Sequence, residues 1–401
     1  MNSRFIAALA LLVLDLPWIL WGWVPAPTIE LWYLAAFANE LRPLWIAIAL
    51  VAAGLALASR RGGARETRRG LLHGVMHGAL VAFALVGVVA AVVLESRRFE
   101  VAEDLGVELS PGRFLTEWTQ GVGEPAAVVD FARVEERTLR LDVWAPDGGT
   151  SAAPTRIAVV RVHGGSWAFG ERSEAPHWCR FLTEHDCVVF DVEYRLTPPP
   201  RWRDAVQDVR AAVRWVRAHA SEWNVDRIVV MGASAGGHLA LCAAYGDDAD
   251  FPPSPLVGGA ANGARTGDVP VVGAIAISPP VVLDIGFDAD YPWWYPIDLR
   301  STERVEQLIG GTPDDFPERF ALASPTTHVT ATSPRTLLIH GANDRLVWPA
   351  NVERLAERLA AFGVHYELVL LPATDHLFEY VPGGFGTQIA EERVARFLTG
   401  L

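Results

Sequence analysis

The chain contains no lysine; all 34 of its basic residues are arginine. That follows codon usage in a GC-rich bacterium rather than any function. Cysteine is nearly as scarce, Cys179, Cys187 and Cys242 being the full set. No CxxC pair or Cys/His spacing occurs, so a cysteine-based metal site is not expected, and neither is any cofactor. Cys187 opens an apolar run and Cys242 sits among small helical residues, so these read as buried free thiols. A Cys179–Cys187 bridge is the alternative in an oxidising compartment. Internal repeats are missing, and so is a basic stripe with interleaved aromatics. With a net charge of −13, nucleic acid is not an expected partner.

What the chain has in excess is apolar residues, 51% of the total, and they crowd into the first hundred positions. Three stretches, residues 5–24, 41–58 and 71–94, each approach the roughly 20 residues a helix needs to cross about 30 Å of hydrocarbon. Asp15 and Pro17 interrupt the first, and Trp18, Trp21 and Trp23 end it with the amphipathic rings that gather at membrane interfaces. With two further spans following, residues 1–95 read as a three-helix anchor in the lipid bilayer rather than a cleaved signal peptide.

Orientation follows from arginine placement. The loop between the second and third spans carries Arg60, Arg61, Arg65, Arg68 and Arg69. The loop between the first two has Glu30 and Glu40 and no basic residue before Arg42. The positive-inside bias then puts the N-terminus and the arginine loop in the cytoplasm. Everything after residue 95 is extracytoplasmic, on a multi-pass protein of the bacterial cell membrane. Arg97 and Arg98, flanked by Glu95 and Glu100, run against that bias. Asp15 inside a span costs roughly 2.5–3.5 kcal/mol and needs a partner; His73 and His77, one helical turn apart, are the candidates.

Residues 96–126 show a weak signal and read as a linker or a contribution to a cap. Beyond them the pattern sharpens. Ala127–Val134 and Leu139–Ala145 alternate apolar and polar residues as half-buried strands do. Short β-branched runs then alternate with helical periodicity: strands at Ile157–Val162, Cys187–Val192, Arg227–Met231, Val271–Ile277, Thr336–His340 and His365–Leu371, with helices at Ala205–Ala220, Leu239–Ala244, Asn351–Phe362 and Ile389–Leu398. Such alternation indicates an α/β domain over residues 127–401, with a mostly parallel sheet covered on both faces.

The chemistry concentrates in three places. Gly232-Ala233-Ser234-Ala235-Gly236 is a G-x-S-x-G set between a predicted strand and a predicted helix, the context that exposes a serine on a tight turn. A serine hydroxyl needs a base to take its proton, and the base needs an orienting acid. Asp344 and His376, each after a predicted strand, supply them in the order Ser, Asp, His. Asp375, His340, His365 and His328 are the rivals, and all read as structural; His238, one turn past the serine, reads as packed inward. His163-Gly164-Gly165-Ser166-Trp167 follows the strand Ile157–Val162, and its adjacent glycines free backbone N–H groups to face a developing oxyanion. Trp167 is a candidate for contacting substrate.

Together with Gly170, Asp191-Val192-Glu193-Tyr194-Arg195-Leu196 and the helix Asp204–Val216, these motifs resemble the bacterial esterase/lipase branch related to hormone-sensitive lipase. The resemblance covers roughly residues 127–401. It implies the α/β-hydrolase fold, carboxylic ester hydrolysis, and oxyanion donors at the N–H groups of Gly165, Ser166 and Ala235. Many relatives carry a third glycine where this chain has Ser166; a backbone donor survives that change. Related enzymes often place a cap where this chain has residues 279–332, and its run Tyr291-Pro292-Trp293-Trp294-Tyr295-Pro296 either lines an entrance or packs the cap. Gly246–Asp268 reads as a flexible excursion. The expected substrate is a small-molecule or lipid ester. Amide cleavage of the arylformamidase type and a non-catalytic binding module are the alternatives, the second disfavoured by the intact Ser234, Asp344 and His376.

Overall fold

The computed structural model describes residues 3–21, 26, 28–60, 68–121, 123–146, 156–257, 269–287 and 302–401. They fall into two compact units. One takes in Met1–Leu115 and Leu371–Ile389; the other takes in Thr116–Pro292, Arg300–Leu370 and Ala390–Leu401.

The first unit begins with four helices, α1 (Ser3–Trp21), α2 (Ile29–Glu40), α3 (Arg42–Arg60) and α4 (Arg68–Asp104), followed by the short α5 (Pro111–Thr116). Leu12, Ala52, Ala53 and Ala84 form a buried cluster where α1, α3 and α4 pack, small side chains letting helix backbones approach closely. Among the described residues, two helices are long and apolar enough to cross a membrane, Arg42–Ser59 and Gly74–Asp104. The first expected span, residues 5–24, coincides with α1, which carries Pro17 inside it, and residues 22–24 at its end lie outside the described residues.

Three expectations need revision here. The connection between the first two spans is a helix, α2, capped by the Thr28 side chain accepting from the Leu31 N–H at 3.4 Å. Residues 96–104, read as the start of a linker, continue α4, which at 1.5 Å per residue reaches about 55 Å, well beyond the hydrocarbon thickness. The Asp15 carboxylate is buried with no hydrogen-bond partner among the described residues. The His77 ring lies instead against Phe5, centroids 4.4 Å apart, and the side chain of His73 is outside the described residues.

The second unit is built on β1 (Ala127–Val134), β2 (Arg137–Trp144), β3 (Arg156–Val162), α6 (Pro176–Glu184), β4 (Val188–Val192), α7 (Trp202–Ala218), β5 (Val225–Ala233), α8 (Ala235–Tyr245), β6 (Val271–Ile277), α9 (Thr302–Ile309), α10 (Pro317–Ala323), β7 (Arg335–Gly341), α11 (Ala350–Ala361) and β8 (Tyr366–Leu371), with α12 (Phe385–Thr399) closing the chain. The sheet order is β1-β2-β4-β3-β5-β6-β7-β8. The first two pairings are antiparallel, and those from β4 through β7 are parallel. Every residue of β3 and β4 is buried, as a parallel strand covered on both faces requires. One core packs β1 to β5 against α7 and α8, and a second packs β6 and β7 against α11. The three cysteines are buried and free. Of residues 279–332, expected to form a cap, 288–301, with the aromatic run Tyr291 to Pro296, lie outside the described residues, as do 258–268 of the expected excursion; the described part of 279–332 includes α9 and α10.

Candidate active site

Because β3, β5, β6 and β7 are parallel, their C-terminal ends share one edge of the sheet, where open α/β sheets build ligand sites. Ser234 sits at that edge between β5 and α8, with φ 52° and ψ −123°. A non-glycine residue pays about 1–3 kcal/mol to hold such a backbone, so its surroundings must fix it. They do: the Ser234 N–H donates to the Ile277 carbonyl at the end of β6, 2.8 Å away, and its carbonyl accepts from the His238 N–H at 3.0 Å. The flanking glycines are required by space. A Cβ on Gly232 would fall 2.3 Å from the Gly236 carbonyl carbon, and one on Gly236 only 2.1 Å from the Val162 carbonyl oxygen. This close approach sets the serine turn against the end of β3.

The chain leaving β3 there is the second motif. Gly165, Ser166 and Trp167 have φ 101°, 51° and 57°, a left-handed run that turns the backbone sharply. A Cβ on Gly165 would lie 2.3 Å from the Phe169 carbonyl oxygen. Ser166 thus holds a conformation glycine adopts more readily. One residue that sequence reasoning did not assign a role, Tyr194, braces this loop. The Tyr194 hydroxyl lies 3.2 Å from the His163 carbonyl and 3.1 Å from that of Gly164, and its ring stacks on the His163 imidazole. Tyr194 follows β4 within the quoted Asp191–Leu196 motif, so its position was visible though its use was not.

Trp167, the candidate substrate contact, is packed beside the serine helix. It is 3% exposed, and its indole N–H donates to His238 Nδ1 at 3.1 Å. His238 Nε2 then donates to the Ala323 carbonyl at 2.8 Å, since a carbonyl only accepts. The indole is therefore a brace for the loop, and His238 is packed inward as read. Burial pushes the His238 imidazole down to about 4, and the His163 imidazole likewise to about 4. Protonating His238 would also set a second N–H against the indole donor. A histidine held neutral this way has its folded pKa below its unfolded one. The unfolded chain binds more protons between pH 6.5 and 4, and the stability contributed is lost as pH falls through that window. Each group contributes up to about 3 kcal/mol. Urea unfolding midpoints should therefore drop from pH 6.5 to 4, and His238→Asn should flatten part of that slope; an unchanged slope would contradict the assignment.

Asp344 follows β7. Its Oδ1 accepts from the N–H groups of Leu346 and Val347 at 3.0 and 2.8 Å, which fixes the carboxylate. Oδ2 lies 3.2 Å from His340 Nε2, whose proton goes to the Val347 carbonyl at 2.7 Å. His340 thus secures the loop bearing Asp344, a structural part as read.

His376 lies in the first unit, on the loop leaving β8. It is buried, its own N–H donates to Asp375 Oδ1 at 2.9 Å, and its ring centroid lies 6.2 Å from that of Trp32 on α2. Rival Asp375 is thus engaged with the local backbone. Within the second unit, the elbow serine, the bent loop and Asp344 converge on one sheet edge.

A serine on a left-handed turn between strand and helix, beside a bent Gly-Gly loop and above a sheet in this order, defines an α/β-hydrolase-fold protein. The chain belongs to the BD-FAE family, whose model matches residues 141–359, more than half of its length. It is 30% identical over 254 residues to the probable carboxylic ester hydrolase LipM of Mycobacterium tuberculosis, the match covering 61% of this chain and 54% of that protein. The chain thus spans about half the length of the curated relatives it matches. Among solved structures it is similar to a propionate-bound thermophilic esterase of Thermogutta terrifontis, at 26% identity and TM-score 0.55 over 71% of this chain and 96% of the other. The esterase 2 of that species phosphorylated by paraoxon matches at 26% identity and TM-score 0.54 over 68% and 93%.

Proposed function

We propose that the chain is a membrane-anchored serine carboxylesterase. The observation that carries this is the φ 52°, ψ −123° backbone of Ser234 between β5 and α8, the tight strand-to-helix turn on which a nucleophilic serine is held. Ser234 Oγ attacks the ester carbonyl carbon while His376 takes the hydroxyl proton and Asp344 orients the imidazole. The oxyanion that forms is held by the N–H groups of Gly165, Ser166 and Ala235. Collapse expels the alcohol, which leaves with the proton from His376. Water, deprotonated by the same histidine, then releases the acid and restores Ser234. No metal or cofactor enters this sequence. The esterase names of LipM and of the Thermogutta enzyme support the reaction class.

The anchor is α1, α3 and α4 as three spans. Their unpaired apolar side chains support this: Val13 and Leu14 on α1, Val51 on α3, and Val86 and Val89 on α4 are all exposed, as lipid-facing residues are. The Trp32–His376 contact supports a topology in which α2, the connection between α1 and α3, shares a side of the membrane with the histidine loop. The arginine-rich connection between α3 and α4 is one crossing away, which agrees with an extracytoplasmic site on a bacterial cell membrane. Substrates are small-molecule or lipid esters. Full-length protein in nanodiscs should hydrolyse p-nitrophenyl acetate and butyrate without added metal. A preference for octanoate would select lipid esters, and absence of turnover on all three would overturn the esterase reading.

A further inference from the structure

The helices α1 to α4 have a second part to play beside that of the proposed anchor. Where α3 begins and α4 leaves the span, four charged side chains are buried together: Glu40, Arg42, Glu95 and Arg98. Arg98 pairs with Glu40 and lies 3.4 Å from Glu95, and Arg42 lies 2.7 Å from the same Glu95 oxygen. Two carboxylates and two guanidiniums make the cluster neutral. Burying such ions costs several kcal/mol each and seldom raises stability over well-packed apolar residues, so the cluster stands out for what it holds.

It holds the loop that carries His376. Arg98 donates to the Ala373 carbonyl at 2.7 Å and to the Pro372 carbonyl at 3.3 Å. Arg42 donates to the same Ala373 carbonyl at 3.1 Å. Glu40 accepts from the Gly386 N–H at 3.3 Å, at the far end of the loop. Ala373 has φ 52°, a conformation a non-glycine residue abandons unless its surroundings fix it, and both guanidiniums converge on its carbonyl. Three residues on, Trp32 packs against the His376 ring, while Phe99 and Phe114 pack on Phe385 where the loop ends. The loop is gripped at entry, at the histidine and at exit, always by residues from the N-terminal helices.

We infer that Arg42 and Arg98, held by Glu40 and Glu95, are positioning residues that fix the His376 loop from the ends of the membrane helices. This rests on the esterase reading, in which His376 is the base. A base displaced by about 1 Å costs on the order of 10²-fold in rate, so loosening the grip lowers kcat while leaving substrate affinity largely alone.

The test uses full-length protein in nanodiscs: wild type, Arg42→Lys, Arg98→Lys, Arg98→Met and Ser234→Ala. Wild-type turnover abolished in Ser234→Ala establishes the esterase reading independently of the grip. The inference expects Arg98→Met to lose at least tenfold in kcat with KM within twofold, Arg98→Lys to recover part of it, and Arg42→Lys to lose less. Hydrogen exchange followed by mass spectrometry should show faster exchange confined to residues 371–389 in the same variants. Should Arg98→Met fail to fold, Arg42→Lys decides by both measurements. Folded arginine variants with wild-type kcat and unchanged exchange in that segment would overturn the inference. The exchange measurement decides even for a chain that turns over no ester, since it reports the loop and not the reaction.

Discussion

Ser234→Ala is expected to lower turnover of a short p-nitrophenyl ester by about 10⁴- to 10⁶-fold, with little change in folding. The size follows from the role: without the hydroxyl no acyl-enzyme forms, and the oxyanion donors alone retain only a small residual rate. Stability should hold because alanine keeps the backbone bonds of the turn, from the Ser234 N–H to Ile277 and from His238 to its carbonyl. The strained φ remains, so a change in unfolding free energy beyond about 1 kcal/mol is not expected. Kinetics and urea unfolding on one preparation separate the two quantities. A variant that keeps a tenth of the wild-type rate would mean that another group attacks the ester.

Gly236→Ala is expected to be the most damaging single methyl in the second unit. Its Cβ would stand 2.1 Å from the Val162 carbonyl oxygen and 2.4 Å from that of His163, and both are backbone atoms that cannot swing aside. Relief requires moving α8 away from the end of β3, which separates the serine turn from the Gly165–Ser166 loop. The cost should reach or exceed the roughly 3 kcal/mol at the top of the usual overpacking range, with activity down by more than about 10²-fold. Gly121→Ala is the control, since a Cβ there meets nothing within 4 Å. Thermal unfolding and turnover of both variants check this, and equal behaviour of the two would refute the steric account.

Much of the second unit was legible because its strands obey simple patterns. β1 and β6 have the bounds expected from alternation and β-branching, and the elbow motif sits between strand and helix as its chemistry demands. α6 went unread because Pro176–Glu184 mixes His, Trp and Arg into a period too short to stand out. α2 was taken for a loop between spans, although Thr28 was there to cap it. The histidine clamp was hidden for a more interesting reason. Arg42 and Arg98 stand at span ends, where arginine is ordinarily read as a topology signal, and Arg98 even counted against the orientation. Buried against Glu40 and the loop carbonyls, it is no free charge for that bias to act on. Partners 58 and 275 residues away in sequence leave no local pattern to read. Trp167 was legible as an aromatic next to an oxyanion motif, but the bond its N–H makes to His238, 71 residues on, was not.

The most direct test of the serine mechanism is to treat the full-length protein with paraoxon and map the adduct by mass spectrometry. A single diethylphosphoryl group on the peptide containing Ser234, formed in step with loss of esterase activity and absent from Ser234→Ala and slowed in His376→Gln, is the predicted result. Ester hydrolysis that survives paraoxon unchanged, or inactivation with the adduct on a different residue, would contradict it.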